Sequence, residues 1–251
     1  MTDPTEPNTL AEQGLFSHLL ELRSRLLRAV AALLLVFLAL VPFANKLYGW
    51  LAQPLLAKLP VGSELIAIDV PSPFLTPIKL AFFAAVLLTM PVLLYQAWAF
   101  VAPGLYRHEK RYARPLLIAA VLLFYAGCAF AYFLVLPMVF GFLTRVTPPG
   151  VRMMTDISHY LDFVLVMFLA FGASFEVPVA VVVLVLLGIV KPAQLSEFRG
   201  YVIVGIFIIA AIITPPDVVS QLMLALPMMA LYELGVIAAR MVAPKPVTSE
   251  S

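Results

Sequence analysis

The sequence predicts an all-α, polytopic membrane protein: six transmembrane helices in a curved, cupped bundle whose fifth and sixth members are short. Three observations carry this reading. Of 251 residues, 63% are apolar and only 12% are Asp, Glu, Lys or Arg, where a soluble domain carries about 25% charged residues. The apolar residues fall in blocks of bilayer length, and mean hydropathy is +1.03. No segment shows the apolar–polar alternation of a membrane strand, so the backbone polar groups must be satisfied inside helices. These features exclude a soluble globular enzyme, a disordered chain and a nucleic-acid module.

The chain reads as one membrane domain, 1–251, with a polar tail over 1–14 and another over 243–251. The first tail lacks a basic stretch before a short apolar core, so it is not expected to be a cleaved signal peptide. The spans are placed at about 26–44, 76–102, 115–143, 160–190, 199–213 and 218–240. The first begins with Arg28 snorkelling to the headgroups. The third holds an uncharged run from Pro115 to Leu143, and the fourth an apolar run from Phe163 to Val190 broken only by Glu176. Both exceed a core of about 30 Å, so they are expected to tilt, bend or project. The fifth is too short for a normal bilayer, and Thr214-Pro215-Pro216-Asp217 blocks its extension. The sixth is short if Glu233 marks its wet end. Pro91, Pro137, Pro178 and Pro227 each remove a backbone donor inside a span and are expected to kink it. Residues 45–72 and 143–158 read as outer loops.

Lys and Arg set the orientation. Eleven lie on the side of both termini, among them Arg23, Arg25, Arg107 and Arg111, and four on the other side. The positive-inside rule places both termini in the cytoplasm.

Enzyme signatures are missing: there is no GxxxxGK[ST], HExxH, CxxC or GxSxG. His18, His108 and His159 fall on different loops or helix ends and opposite faces, so no metal site or cofactor is expected. Cys128, the one cysteine, reads as a packing residue. What remains are carboxylates in unusual places. Glu176, mid-block, costs several kcal/mol at bilayer depth unless neutralised, paired or hydrated. It is either a polar contact in a cavity or a protonated group bonded to a neighbouring helix. Glu21 precedes span one; by spacing it suits an i,i+4 pair with Arg25 on an interfacial helix. Glu109 sits among Arg107, Lys110 and Arg111, as a solvated charge cluster would. Zero and two spans precede Glu21 and Glu109, so both face the cytoplasm.

The stretches His18-Leu19-Leu20-Glu21-Leu22-Arg23-Ser24-Arg25-Leu26, Ser72-Pro73-Phe74 with Lys79, and Pro91 through Tyr106 resemble the TatC family. So do Glu109, Phe171 through Pro178, and Thr214-Pro215-Pro216-Asp217 with Gln221. This family is the multispan subunit of the twin-arginine protein translocase. The likeness runs in order over about residues 15–242.

The resemblance implies a non-enzymatic transport subunit of the bacterial cytoplasmic (inner) membrane. Such a subunit recognises consecutive-arginine signal peptides on folded precursor proteins and mediates their export, driven by the proton-motive force. It implies that Glu21 and Glu109 accept the two guanidinium groups, since the planar Arg fork matches a carboxylate as Lys cannot. Arg23, Gln96, Phe100 and His108 would shape the same pocket. The neighbouring bases are expected to face lipid phosphates. Glu176 would contact an inserted signal helix or a partner. Thr214 and Gln221 would dock single-span TatA/TatB-type subunits, and Pro54 and Asp217, near the outer face, would serve assembly. Implied partners are these subunits, the precursors, further copies of the chain and membrane lipids, with no nucleic acid.

Overall fold

A computed structural model of the chain describes residues 6–56, 65–101, 113–146, 148, 154–214 and 218–242. Among them, five helices are long and apolar enough to cross a membrane: Leu20–Gln53, Ser72–Phe100, Ala113–Val146, Ile157–Leu186 and Gln221–Val242. A shorter apolar helix, Arg199–Ile213, completes the set. The elements in order are α1 (Glu6–Leu40), a 3-10 turn (Val41–Phe43), α2 (Ala44–Leu56), α3 (Ser72–Val101) and α4 (Ala113–Phe130). A π-helical segment (Ala131–Val135) follows, then α5 (Leu136–Val146), α6 (Ile157–Leu186), α7 (Pro192–Glu197), α8 (Arg199–Ile213) and α9 (Val218–Val242). Successive crossings place the start of α1 and the end of α9 at one end of the bundle, here the terminal end. The other is the loop end.

Residues 45–56, expected to begin an outer loop, are helical instead, within α2. Leu51 and Ala52 of α2 are buried in the main core, so tertiary burial favours a helix there. Among the long helices, α1 packs chiefly along α3. Helix α6 lies between α4 and α9, and α8 leans on α9. Helix α1 and the α8–α9 pair stand at opposite ends with no substantial packing between them, so the described helices form an open row. The large exposed apolar side chains, such as Leu35, Leu38, Phe133 and Ile212, face outward, as a lipid solvent allows.

Close helix approaches rest on glycine. A Cβ on Gly127 of α4 would lie 2.5 Å from the Phe171 carbonyl oxygen of α6, and one on Gly172 would lie 2.7 Å from the Phe124 ring. The two glycines sit across from each other's neighbours, as small residues do between membrane helices. Gly235 of α9 repeats the device against the Pro178 backbone, at 2.8 Å.

The prolines act locally. Pro91 has no N–H to offer the Leu87 carbonyl, and the Tyr125 hydroxyl of α4 donates to that carbonyl at 2.8 Å. Before Pro137 the helix loosens into the π segment, in which Tyr132 donates from its hydroxyl to the Trp50 carbonyl of α2 at 3.1 Å. The apolar run of the fourth span reaches Val190, but α6 stops at Leu186. Gly188, at φ +70°, adopts the left-handed conformation that ends a helix. Its N–H donates to Val185 and that of Ile189 to Leu184.

Of the two last apolar helices, α8 has 15 residues, or about 22 Å. Helix α9 has 25 residues, and only its part before Glu233 is short. Glu233 is not left to solvent alone, since Arg199 of α8 donates to it at 2.7 Å.

Candidate functional site

The terminal end carries the candidate site. Helix α1 there is amphipathic by spacing, with Leu22, Leu26 and Ala29 returning to the face that meets α3. Between the two helices runs a cleft of about 380 Å³, lined by Leu22, Arg25, Leu26, Leu93, Gln96 and Phe100. Glu21 stands at its margin. The Arg25 guanidinium donates to Glu21 Oε1 twice, from Nε at 3.0 Å and from Nη2 at 2.5 Å. Arg25 therefore faces the carboxylate one turn away, as its spacing suggested, and not a lipid phosphate. The carboxylate is the more open partner, its side chain 39% exposed against 21% for Arg25.

Gln96 forms part of the opposite wall. Its Oε1 is buried and has no hydrogen-bond partner among the described residues. A buried amide oxygen without a donor is costly, so the cleft holds a ready acceptor. Arg23 is exposed on α1 and does not line the cleft. The structure thus brings Gln96 and Phe100 to one groove, ties Glu21 to it through Arg25, and leaves Arg23 outside it. Glu109 and His108 lie outside the described residues.

A second cleft, of about 440 Å³, opens on the other side of the same stretch of α3. Leu94 and Trp98 of α3, Glu176 and Val183 of α6, and Leu187 just after that helix line it, and Ala97 borders both clefts. Glu176 is the polar side chain in this apolar wall. Its Oε1 is buried with no partner among the described residues. It lies ten residues, about 15 Å, from the terminal end of α6.

The expected docking residues sit between α8 and α9. Thr214 is buried and donates to the Ala210 carbonyl at 2.8 Å. Gln221 Nε2 donates to the Phe207 carbonyl at 3.2 Å. Thr214, the residue that caps α8, thus closes that helix's own last turn, whereas Gln221 joins α9 to the backbone of α8. Asp217 and the Pro54 side chain lie outside the described residues.

The loop end holds a constellation that sequence reasoning missed. Asp156 caps α6, accepting from the Ser158 N–H at 2.8 Å and the His159 N–H at 3.1 Å. Its other oxygen accepts from the Ile68 N–H at 3.0 Å. A parallel bridge pairs Ile66 with Asp156, so the stretch before α3 is clipped to the start of α6. Nearby, Thr76 and Ser158 share a hydrogen bond at 2.8 Å, and Lys79 forms an ion pair with Asp162. The backbone bonds, that from Ile68 first, hold the Asp156 carboxyl below its ordinary range. The sequence did carry a signal for the cap, an Asp just before an apolar-periodic run. It carried none for Lys79–Asp162, which depends on the register of α3 against α6.

Known proteins match this chain in sequence and fold. The family model for Sec-independent protein translocase protein (TatC) matches residues 17–227. A curated relative from Azotobacter chroococcum mcd 1, Sec-independent protein translocase protein TatC, is 56% identical over 230 residues, covering 92% of this chain and 90% of its own length. The protein of that name from Escherichia coli (strain K12) is 54% identical over 228 residues, covering 91% and 88%. A crystal structure of the twin arginine translocase receptor TatC superposes with a TM-score of 0.79 at 38% identity, over 89% of this chain and 98% of that one. With its helices and its sequence both matched over nearly their whole length, the chain belongs to the TatC family of Sec-independent protein translocase proteins.

Proposed function

We propose that this chain recognises twin-arginine signal peptides of folded precursors at the cytoplasmic membrane face. With single-span TatA/TatB-type subunits it mediates their export, driven by the proton-motive force, across the bacterial inner membrane. It works as a transport subunit and not as an enzyme. One observation carries the reading: Glu21, beside the α1–α3 groove, already holds a guanidinium through two donors on one oxygen. The carboxylate is therefore poised for arginine, and charge-assisted bonds of this kind are among the stronger ones available to it.

In this reading Glu21 takes one arginine of the pair and Glu109 the other. Gln96 supplies a further acceptor and Phe100 an apolar wall, while Arg23 and His108 shape the approach. The apolar part of the signal peptide extends along α3 toward the second cleft, where Glu176 meets its polar groups or those of a partner helix. Thr214 and Gln221 mark the α8–α9 edge as the seat of a single-span subunit, and Pro54 and Asp217 serve assembly at the outer face. Further copies of the chain join the same complex.

Site-specific photocrosslinking with a precursor tests the assignment. Glu21→Ala with Glu109→Ala is expected to abolish crosslinks to an RR signal peptide from position 96. An RR→KK peptide should bind more weakly by roughly 1–3 kcal/mol, the worth of a charged hydrogen bond. Undiminished RR crosslinking in the double variant would remove Glu21 and Glu109 from the site.

A further inference from the structure

We propose that Arg25 is a built-in competitor for Glu21, and that a cargo arginine reaches the carboxylate by exchange with it. This rests on the reading of Glu21 as an arginine acceptor. It goes further by assigning a role to the cation one helical turn away.

The geometry is specific. Arg25 places Nε and Nη2 on the same oxygen, Oε1, at 3.0 and 2.5 Å. The pair is local, i to i+4 on one helix, so it forms without any help from the rest of the fold. Arg25 is the deeper partner, packed with Leu22 and Leu26 along the α1–α3 cleft, and Glu21 is the more exposed one. A ligand approaching the rim meets the carboxylate with one oxygen already engaged. The displaced guanidinium has somewhere to go, because Gln96, whose buried Oε1 has no partner among the described residues, lines the same cleft.

The exchange is nearly balanced, one arginine–carboxylate contact replacing another. What binding must overcome is the intrahelical pair alone. Pairs of this type are weak, so Arg25 lowers the affinity of any Glu21-directed cation by a modest factor, about two- to fivefold. At equilibrium that factor is the same for every ligand that must displace it. Arg25 therefore shifts RR and KK peptides together and leaves their ratio alone. It raises the threshold that a weakly cationic segment has to pass without itself choosing between Arg and Lys. Selectivity stays with the shape of the carboxylate site.

The test measures binding of fluorescent RR, KK and QQ signal peptides to the full chain in lipid nanodiscs. Wild type is compared with Arg25→Gln, Arg25→Lys, Glu21→Gln and the Glu21→Gln/Arg25→Gln double variant. Arg25→Gln is expected to tighten RR and KK binding by a common factor of about two to five, with QQ unmoved. Arg25→Lys, which keeps the charge but loses the fork, should tighten both by less. In the Glu21→Gln background the Arg25 effect should vanish. Equal tightening of the QQ peptide, or an Arg25 effect that survives without Glu21, would make the effect merely structural and overturn the proposal. So would unchanged or weaker RR binding in Arg25→Gln. Those results leave the underlying reading standing provided Glu21→Gln weakens RR binding. If Glu21→Gln leaves RR binding unchanged, the reading itself falls, whatever Arg25 does.

Discussion

A carboxylate inside an apolar wall is informative because its surroundings give it so little. Glu176 has a buried Oε1 with no partner among the described residues, in a cleft of Leu, Val, Ala and Trp. If it serves as a hydrogen-bonding contact, Glu176→Gln keeps the shape and most of the bonding capacity and should retain transport. Glu176→Ala removes both and should weaken crosslinking of a signal helix or partner at that depth. Equal transport by all three proteins would reduce the residue to packing. Asp156 is the opposite case, a carboxylate given three backbone donors. Those bonds hold its folded-state pKa below the ordinary 3.8. The stability it lends is complete above that value and is lost as the pH falls through the lower folded one. Acidification from neutrality to about pH 5 should therefore leave the amides of Ile68, Ser158 and His159 protected from hydrogen exchange. Protection should fall only below 3.8. Asp156→Ala should lose it at every pH.

At the scale of elements, helices meet where side chains are missing. Gly127→Ala would drive a methyl against the Phe171 carbonyl, now 2.5 Å from the ideal Cβ position. Backbone cannot swing aside as a side chain can, so α4 and α6 must separate, at about 1–3 kcal/mol. A lowered apparent Tm in detergent is the expected reading, with Gly141→Ala, which has open space at its Cβ, as the unaffected control. This contact also marks the limit of what the sequence disclosed. The apolar blocks and their prolines announced the long helices, because a bilayer imposes length and composition on any span. They did not announce that residues 45–56 remain helical, since that depends on Leu51 and Ala52 finding a core elsewhere. Nor did Pro91 disclose its repair, because the Tyr125 hydroxyl that reaches the Leu87 carbonyl belongs to another helix. In the site, the Glu21–Arg25 spacing was legible as a local pair. The presence of Gln96 and Arg25 in the lining of one cleft was not, for it requires α1 and α3 to be in register.

For the whole molecule, the distribution of Lys and Arg makes a prediction about sidedness. Single cysteines placed at Thr9 and Thr248, in a Cys128→Ser background, should react with an impermeant maleimide only from the cytoplasmic side. One at Arg145 should react only from the outside. Labelling of Arg145Cys from the cytoplasm would invert the bundle and place Glu21 on the wrong face for cargo. The open row of helices bears on a different matter. A closed ring offers a neighbour the same kind of surface all round, whereas this row stops at two unlike margins. One is α1 with its carboxylate–guanidinium rim, the other the α8–α9 pair stitched by Gln221 and Arg199. Whatever abuts the first margin meets different chemistry from whatever abuts the second. An oligomer grown margin to margin would then have a polarity, each member showing its neighbour a front and a back.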